Sequence, residues 1–238
     1  MLSESTLLVR PSTSIDDTAE NGSNNLQSTL LKTSANVTRR LAVITVANED
    51  ILSGYDSANV GDTLELVYGT DFAPTSSTGS SSSAIEILKA VTIRCTDIVN
   101  RCKWNGLDAR RVVYIETGTQ VTTTLIGLNI TRAAGNGIFI SESIVTMSLM
   151  TVSGNSAIAN DGGGLLTMFS IVTMSLMTVS GNSVSGSGGG MKFEYSTVTM
   201  SLMTVSGNAA GSDGGGIYIT CSNVTMTSMT VSGNSAAA

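Results

Sequence analysis

Two aspartates in this 238-residue chain stand where a carboxylate pair could work: Asp161 and Asp213, with Ser187 between them, each three residues before the last glycine of a glycine-rich turn. If those turns stack, the two carboxylates lie about 9.6 Å apart at the strand spacing. That is near the upper end of the ~6.5 to 9.5 Å separation at which one acid protonates a glycosidic oxygen while the other activates water. Against that chemistry, residues 143–238 hold four charged side chains, Asp161, Lys192, Glu194 and Asp213, and no arginine. Nothing there supplies the basic groups that hold an anionic sugar or the further carboxylates that bind calcium or water. Both aspartates therefore read as solvated turn residues, no catalytic residue is assigned, and the expectation is a protein that is not an enzyme.

Other chemistries fall away for want of parts. The chain has no histidine, which removes the commonest general base, the Ser-His and Cys-His nucleophile pairs, and imidazole-based zinc sites. Its glycine runs open no helix and precede no Gly-Lys-Ser/Thr, so they are turns rather than phosphate cradles. They also lack the aspartate that follows the glycines of a calcium-binding nonapeptide. Ten of the eleven methionines lie within residues 147–229, where soft, unbranched side chains suit a narrow interior better than a metal or haem. No cofactor and no metal site are expected. A net charge of −6, with 12 basic residues in no cluster, offers no footprint for nucleic acid. No apolar run approaches the ~18 residues of a transmembrane helix. Cys95 and Cys102, with six residues between them, are spaced for a local disulfide in an oxidising compartment, while Cys221 has no partner among the repeats.

Two sets of polar residues recur at fixed positions. Asn155, Asn182, Asn208 and Asn234 each follow the same Ser-Gly, and read as a ladder of side-chain amides at a tight turn, each donating to the carbonyl of the next coil. Thr146 and Ser148, Thr173 and Ser175, Thr199 and Ser201, and Thr225 and Thr227 alternate with apolar residues. They read as an outward hydroxyl ladder open to a binding partner, beside a second one at Thr151-x-Ser153 and its copies.

The elements that position these residues follow from self-comparison. Ser143 opens SIVTMSLMTVSGNSAIANDGGGLLTMF, and near copies open at Ser170, Ser196 and Ser222, at spacings of 27, 26 and 26. A weaker copy occupies residues 117–142, so the repeat decays toward the N-terminus. Within a unit the apolar period is two: Val145, Met147 and Leu149 alternate with Thr146 and Ser148, and Met150 and Val152 with Thr151 and Ser153. Three short strands in about 26 residues, punctuated by Ser-Gly-Asn and Gly-Gly-Gly, make one coil of a solenoid. Stacking pairs each strand with its copies and fills the interior with Val, Met, Leu and Ile. The fold class is all-β, a right-handed single-stranded parallel β-helix. Residues 1–40, rich in Ser, Thr and Asn without sustained periodicity, read as a flexible leader with no visible signal peptide. Residues 41–116 read as an N-terminal cap and irregular coils with a Ser-rich loop at 74–84, and residues 117–238 as regular repeats. The fourth repeat stops after its asparagine turn, which leads us to expect an uncapped edge, self-association through it, and a sequence that is a fragment.

The stretch GDTLELVYGT at residues 61–70 resembles the GDTI-L-GTY opening of right-handed β-helices of the pectin-lyase-like superfamily, and VTIRC at 91–95 and LIGLNIT at 125–131 continue the likeness. The glycine turn paired with V-x-x-N is similar to the GGA-I and F-x-x-N repeats of polymorphic outer-membrane proteins, with Val for Phe and Gly for Ala. The hydroxyl ladder resembles the T-x-T faces of ice-binding solenoids. These resemblances imply fold more than activity. The expected function is a non-catalytic extracellular or cell-surface β-helix, presenting flat faces for adhesion to carbohydrate or another macromolecule. A carbohydrate-active enzyme of the same superfamily and an ice-binding solenoid are the alternatives.

Overall fold

A short alternating strand buries one face only when a neighbour lies beside it, and a 26-residue repeat supplies that neighbour from its own next copy. The computed structural model, which describes residues 41–73, 83–158 and 161–237, has this arrangement in four parallel sheets. Sheet 1 has eight strands, from Val43–Ala47 through Ser143–Ser148, Ile171–Ser175 and Thr197–Ser201 to Asn223–Thr227. Sheet 2 has six, from Cys102–Asn105 to Thr230–Ser232. Sheet 3 has four strands of two residues each, such as Ser183–Val184. Sheet 4 has six, from Ser83–Ile87 through Arg111–Ile115, Ile138–Ser141, Leu165–Met168 and Met191–Glu194 to Ile217–Thr220. One coil visits the sheets in that order. Sequence pattern implied three strands per coil; the strand of sheet 3 escapes because two residues carry no period.

Register follows the repeat. Met147 pairs with Met174, Met174 with Met200 and Met200 with Met226, and the column continues backward through Leu125, Ile93 and Leu64. Sheet 2 contributes Trp104, Ile130, Val152, Val179 and Val205, all fully buried. These columns meet in one continuous core. At one end of it the helix Ile51–Ser57 packs against the first two strands of sheet 1 and buries Ile51 and Tyr55. The Tyr55 hydroxyl accepts from the Leu88 and Lys89 N–H groups at 2.7 and 3.0 Å. No helix among the described residues is long and apolar enough to cross a membrane.

Corners between sheets turn on residues in the left-handed region. Leu149, Leu176 and Leu202 have φ of 55°, 52° and 52°, and Phe169 and Tyr195 have 49° and 47°. Such a backbone costs a residue with a Cβ roughly 1–2 kcal/mol. It persists because each corner N–H is tied to the next coil, as in Phe169 N–H to the Glu194 carbonyl at 3.2 Å and Leu176 N–H to the Ser201 carbonyl at 3.1 Å. The corner breaks the alternation, so Leu149 and its copies are not inward residues as the period implied: Leu176 and Leu202 are 48% and 56% exposed. Met168 likewise faces outward on sheet 4, while Met147, Met150, Met174, Met177, Met191, Met200 and Met203 are buried.

The leader at 1–40 and most of the Ser-rich loop lie outside the described residues. The loop is shorter than 74–84 in any case, since Ser83 and Ala84 begin a strand of sheet 4 and are buried. One defect stands out in the core. Thr167 occupies the inward column between Ile140 and Phe193, fully buried, and its hydroxyl has no hydrogen-bond partner. Thr167→Val keeps the shape and removes the orphan, so it is expected to raise stability by about 1 kcal/mol. The check is a higher urea midpoint at unchanged slope; a lower midpoint would show that the hydroxyl is satisfied.

Candidate functional site

The polar ladders come first, because they hold the faces flat. Asn155, Asn182 and Asn208 are buried. The Asn155 backbone N–H and Nδ2 both donate to Asn182 Oδ1, at 3.1 and 2.9 Å, and Asn182 and Asn208 repeat the pattern toward Asn208 and Asn234. Each Nδ2 also donates backward to a sheet 2 carbonyl, Val152 O in the case of Asn182 at 3.0 Å. The last glycine of each run fits against the asparagine amide of the following coil: a Cβ on Gly190 would meet the Gly216 carbonyl at 2.5 Å and Asn208 Nδ2 at 3.0 Å. A second ladder was not recognised in the sequence. Ser143, Ser170, Ser196 and Ser222 follow the corner after sheet 4, and each hydroxyl accepts from the N–H of the serine one coil earlier where there is one, as Ser170 Oγ does from Ser143 N–H at 3.1 Å. The signal for it was the serine that opens every repeat. Cys95 and Cys102 form a disulfide joining a strand of sheet 1 to one of sheet 2, and Cys221 is free and exposed.

The outer face of sheet 1 carries the hydroxyl ladder. Thr146, Thr173, Thr199 and Thr225 are in register, and pairing extends the column back through Thr124 and Thr92 to Thr63. Its neighbour Ser148, Ser175, Ser201 and Thr227 does not extend so: upstream stand Ile126, Arg94 and Glu65, the last two joined by an ion pair of 2.8 Å. The hydroxyl surface is thus two columns wide only in the later coils.

The outer face of sheet 4 is different in kind, and register rather than repetition reveals it. One outward column reads Glu86, Tyr114, Phe139, Leu166, Lys192, Tyr218, and the next reads Ser141, Met168, Glu194, Thr220. The Tyr114 and Phe139 rings lie 5.4 Å apart, and the Arg111 guanidinium covers both, 4.7 Å from the Phe139 centroid and 5.6 Å from that of Tyr114. At the following corner Phe169 and Tyr195 stack in parallel, 5.1 Å apart, each about half exposed. By contrast Phe72, Trp104 and Phe193 lie in the core.

The one lysine among the described residues of this face is held by two carboxylates. Lys192 Nζ donates to Asp161 Oδ2 at 2.7 Å and lies 3.4 Å from Glu194 Oε2. Burial alone would lower the Lys192 pKa, but those two carboxylates outweigh it and raise it above the ordinary lysine value. Asp161 also accepts from the Ser187 N–H at 2.7 Å; burial pushes its pKa up, and Lys192 and that N–H together bring it below the usual carboxylate range. Asp161 is therefore not the free turn residue that sequence suggested, and it is engaged with Lys192 rather than with Asp213, which is exposed. The Tyr114 hydroxyl donates to Glu116 Oε2 at 2.5 Å, and desolvation together with that bond pushes its pKa up to about 12. A lysine held charged and a phenol held neutral make poor proton carriers near neutral pH, whereas rings, carboxylates and methylenes on a rigid face suit binding. Among the described residues, no three His, Cys, Asp or Glu side chains cluster so as to hold a metal ion.

No curated protein sequence matches the chain. The crystal structure of pectate lyase Pel9A is similar over 71% of this chain and 54% of its own, with 13% sequence identity and a TM-score of 0.47. Residues 111–238, more than half of the chain, match the family described as right handed beta helix region. With its parallel coils stacked in register throughout that segment, the chain belongs to the right-handed β-helix family.

Proposed function

We propose that this protein is a non-catalytic β-helix of an extracellular or cell-surface setting, which binds carbohydrate along the outer face of sheet 4. The observation that carries the reading is the gathering of outward aromatic side chains there: Tyr114, Phe139 and Tyr218 on the sheet, Phe169 and Tyr195 at its corner. Sugar rings present C–H faces that pack on aromatic rings while their hydroxyls reach flanking polar groups, and this face has both. The Cys95–Cys102 disulfide supports an oxidising compartment.

A carbohydrate-cleaving enzyme is the second reading, favoured by one feature, the Asp161, Lys192 and Glu194 cluster beside the aromatic column. Affinity electrophoresis against a polysaccharide panel tests both. The chain should be retarded by at least one polymer without shortening it, and Tyr114→Ala with Phe139→Ala should weaken retardation about tenfold, ~1.4 kcal/mol, with circular dichroism unchanged. Thr173→Val with Thr199→Val, on sheet 1, should leave it unchanged. Retardation by no polymer would overturn the binding reading, and chain cleavage lost in Asp161→Asn would overturn the non-catalytic one. Thermal hysteresis abolished by the threonine pair would transfer function to sheet 1 as an ice binder.

A further inference from the structure

The charges on sheet 4 say what kind of polysaccharide it takes. Around the aromatic column stand four carboxylates, Glu86, Glu116, Asp161 and Glu194, against two cations, Arg111 and Lys192. The ammonium is already engaged by carboxylates, and the guanidinium is placed over rings. Lys192 is held by Asp161 at 2.7 Å with Glu194 at 3.4 Å, and its ammonium also lies 5.7 Å from the Tyr218 ring. Arg111 lies over the two rings of Tyr114 and Phe139, with Glu86 close enough to stabilise its charge. A polyuronate, bringing a carboxylate with every sugar, would meet a surplus of negative charge on the face and a chain of net charge −6 behind it.

We propose that the ligand of this face is an uncharged polysaccharide, lying along the solenoid axis with its sugar faces on Tyr114, Phe139 and Tyr218 and its hydroxyls donating to Glu116 and Glu194. The inference rests on the carbohydrate-binding reading above and adds the charge class of the polymer. Geometry agrees with it. The outward column changes one residue per coil at a spacing of about 4.8 Å, so an extended chain parallel to the axis meets a fresh side chain at each step. Between the aromatic pair and Lys192 the column passes through Leu166, which is buried, and the half-buried Met168 beside it carries the apolar surface across that coil. Carboxylates that accept from hydroxyls lose nothing to an uncharged sugar and repel a charged one of their own sign.

The test uses the whole chain with named probes: hydroxyethyl cellulose and galactomannan as uncharged polymers, polygalacturonate and alginate as polyanions, chitosan as a polycation. Retardation by at least one uncharged polymer is expected, at least tenfold stronger than by either polyanion, and unchanged between low and high salt because no counterions are exchanged. Glu86→Gln with Glu116→Gln should raise retardation by polygalacturonate severalfold, an effect that a merely structural role for these side chains would not produce. Preference of the unaltered chain for a polyanion or for chitosan, collapsing in high salt, would overturn the charge assignment while leaving carbohydrate binding intact. Retardation by none of the five probes would overturn the binding reading and this inference with it.

Discussion

Met200→Asp is expected to unfold the middle of the solenoid. Met200 is fully buried in sheet 1, between Met174 and Met226 of the adjoining coils. A carboxylate there would lie within the apolar core. An unpaired charge in such a place costs on the order of 3–5 kcal/mol, or forces the group to stay protonated. Because coils couple only to their neighbours, the loss should spread: hydrogen exchange should accelerate in Ile171–Ser175 and Asn223–Thr227 as well as in Thr197–Ser201. Met200→Leu is the control. Leu125 stands in the same column, so a leucine fits the cross-section and should cost less than about 1.5 kcal/mol. An aspartate variant as stable as the leucine variant at neutral pH would mean that the column is not the continuous dry core described.

The difference between what could be read from sequence and what could not lies in repetition. Val, Met and Thr recur at period two inside a unit and at 26 residues between units, and those two periods mark the longer strands, their stacking and their register in residues 143–238. Asn155 and its copies were legible for the same reason. The corners were not, because a left-handed residue leaves no mark on hydropathy: Leu149 looks like one more inward residue until its φ of 55° turns it out. The aromatic strip was hidden by the opposite cause. Tyr114, Phe139, Leu166, Lys192 and Tyr218 share one column, yet differ from coil to coil, so self-comparison passes over them as variation between repeats. Positions that a repeat protein keeps constant hold the scaffold, and positions it varies on a regular face are where recognition can reside. The threonine ladder is constant and conspicuous, so self-comparison offers it as a possible binding face; the proposal of sheet 4 rests on strand pairing instead.

Asn182→Ala is the second substitution expected to have a large effect, through hydrogen bonding instead of packing. The side chain is buried and works in both directions along the axis. Its Oδ1 accepts from the N–H and Nδ2 of Asn155, and its Nδ2 donates to the Val152 carbonyl and to Asn208 Oδ1. Alanine removes all four at once and leaves the Asn155 N–H without its acceptor away from water, while the Val152 carbonyl keeps only its place in the sheet 2 ladder. With about 1–3 kcal/mol for the buried N–H left unsatisfied and about 0.5–1.5 kcal/mol for each of the other bonds lost, the loss should be on the order of 4 kcal/mol, read from urea denaturation. Asn234→Ala should cost clearly less, because that residue is half-buried and its Nδ2 donates to the Val205 carbonyl with no asparagine acceptor beside it. Asn182→Asp separates donor from shape. It keeps an acceptor for Asn155 but turns an oxygen toward the Val152 carbonyl, so folding favours the protonated carboxyl and raises its pKa above the unfolded value. The folded state then binds more protons than the unfolded one, and stability must fall as pH rises through the unfolded carboxylate value near ~3.9. The aspartate variant should therefore approach the unaltered protein in acid and fall behind it toward neutrality. A pH-independent deficit, or an alanine variant within about 1 kcal/mol of the unaltered chain, would show that water rather than the next coil satisfies the turn.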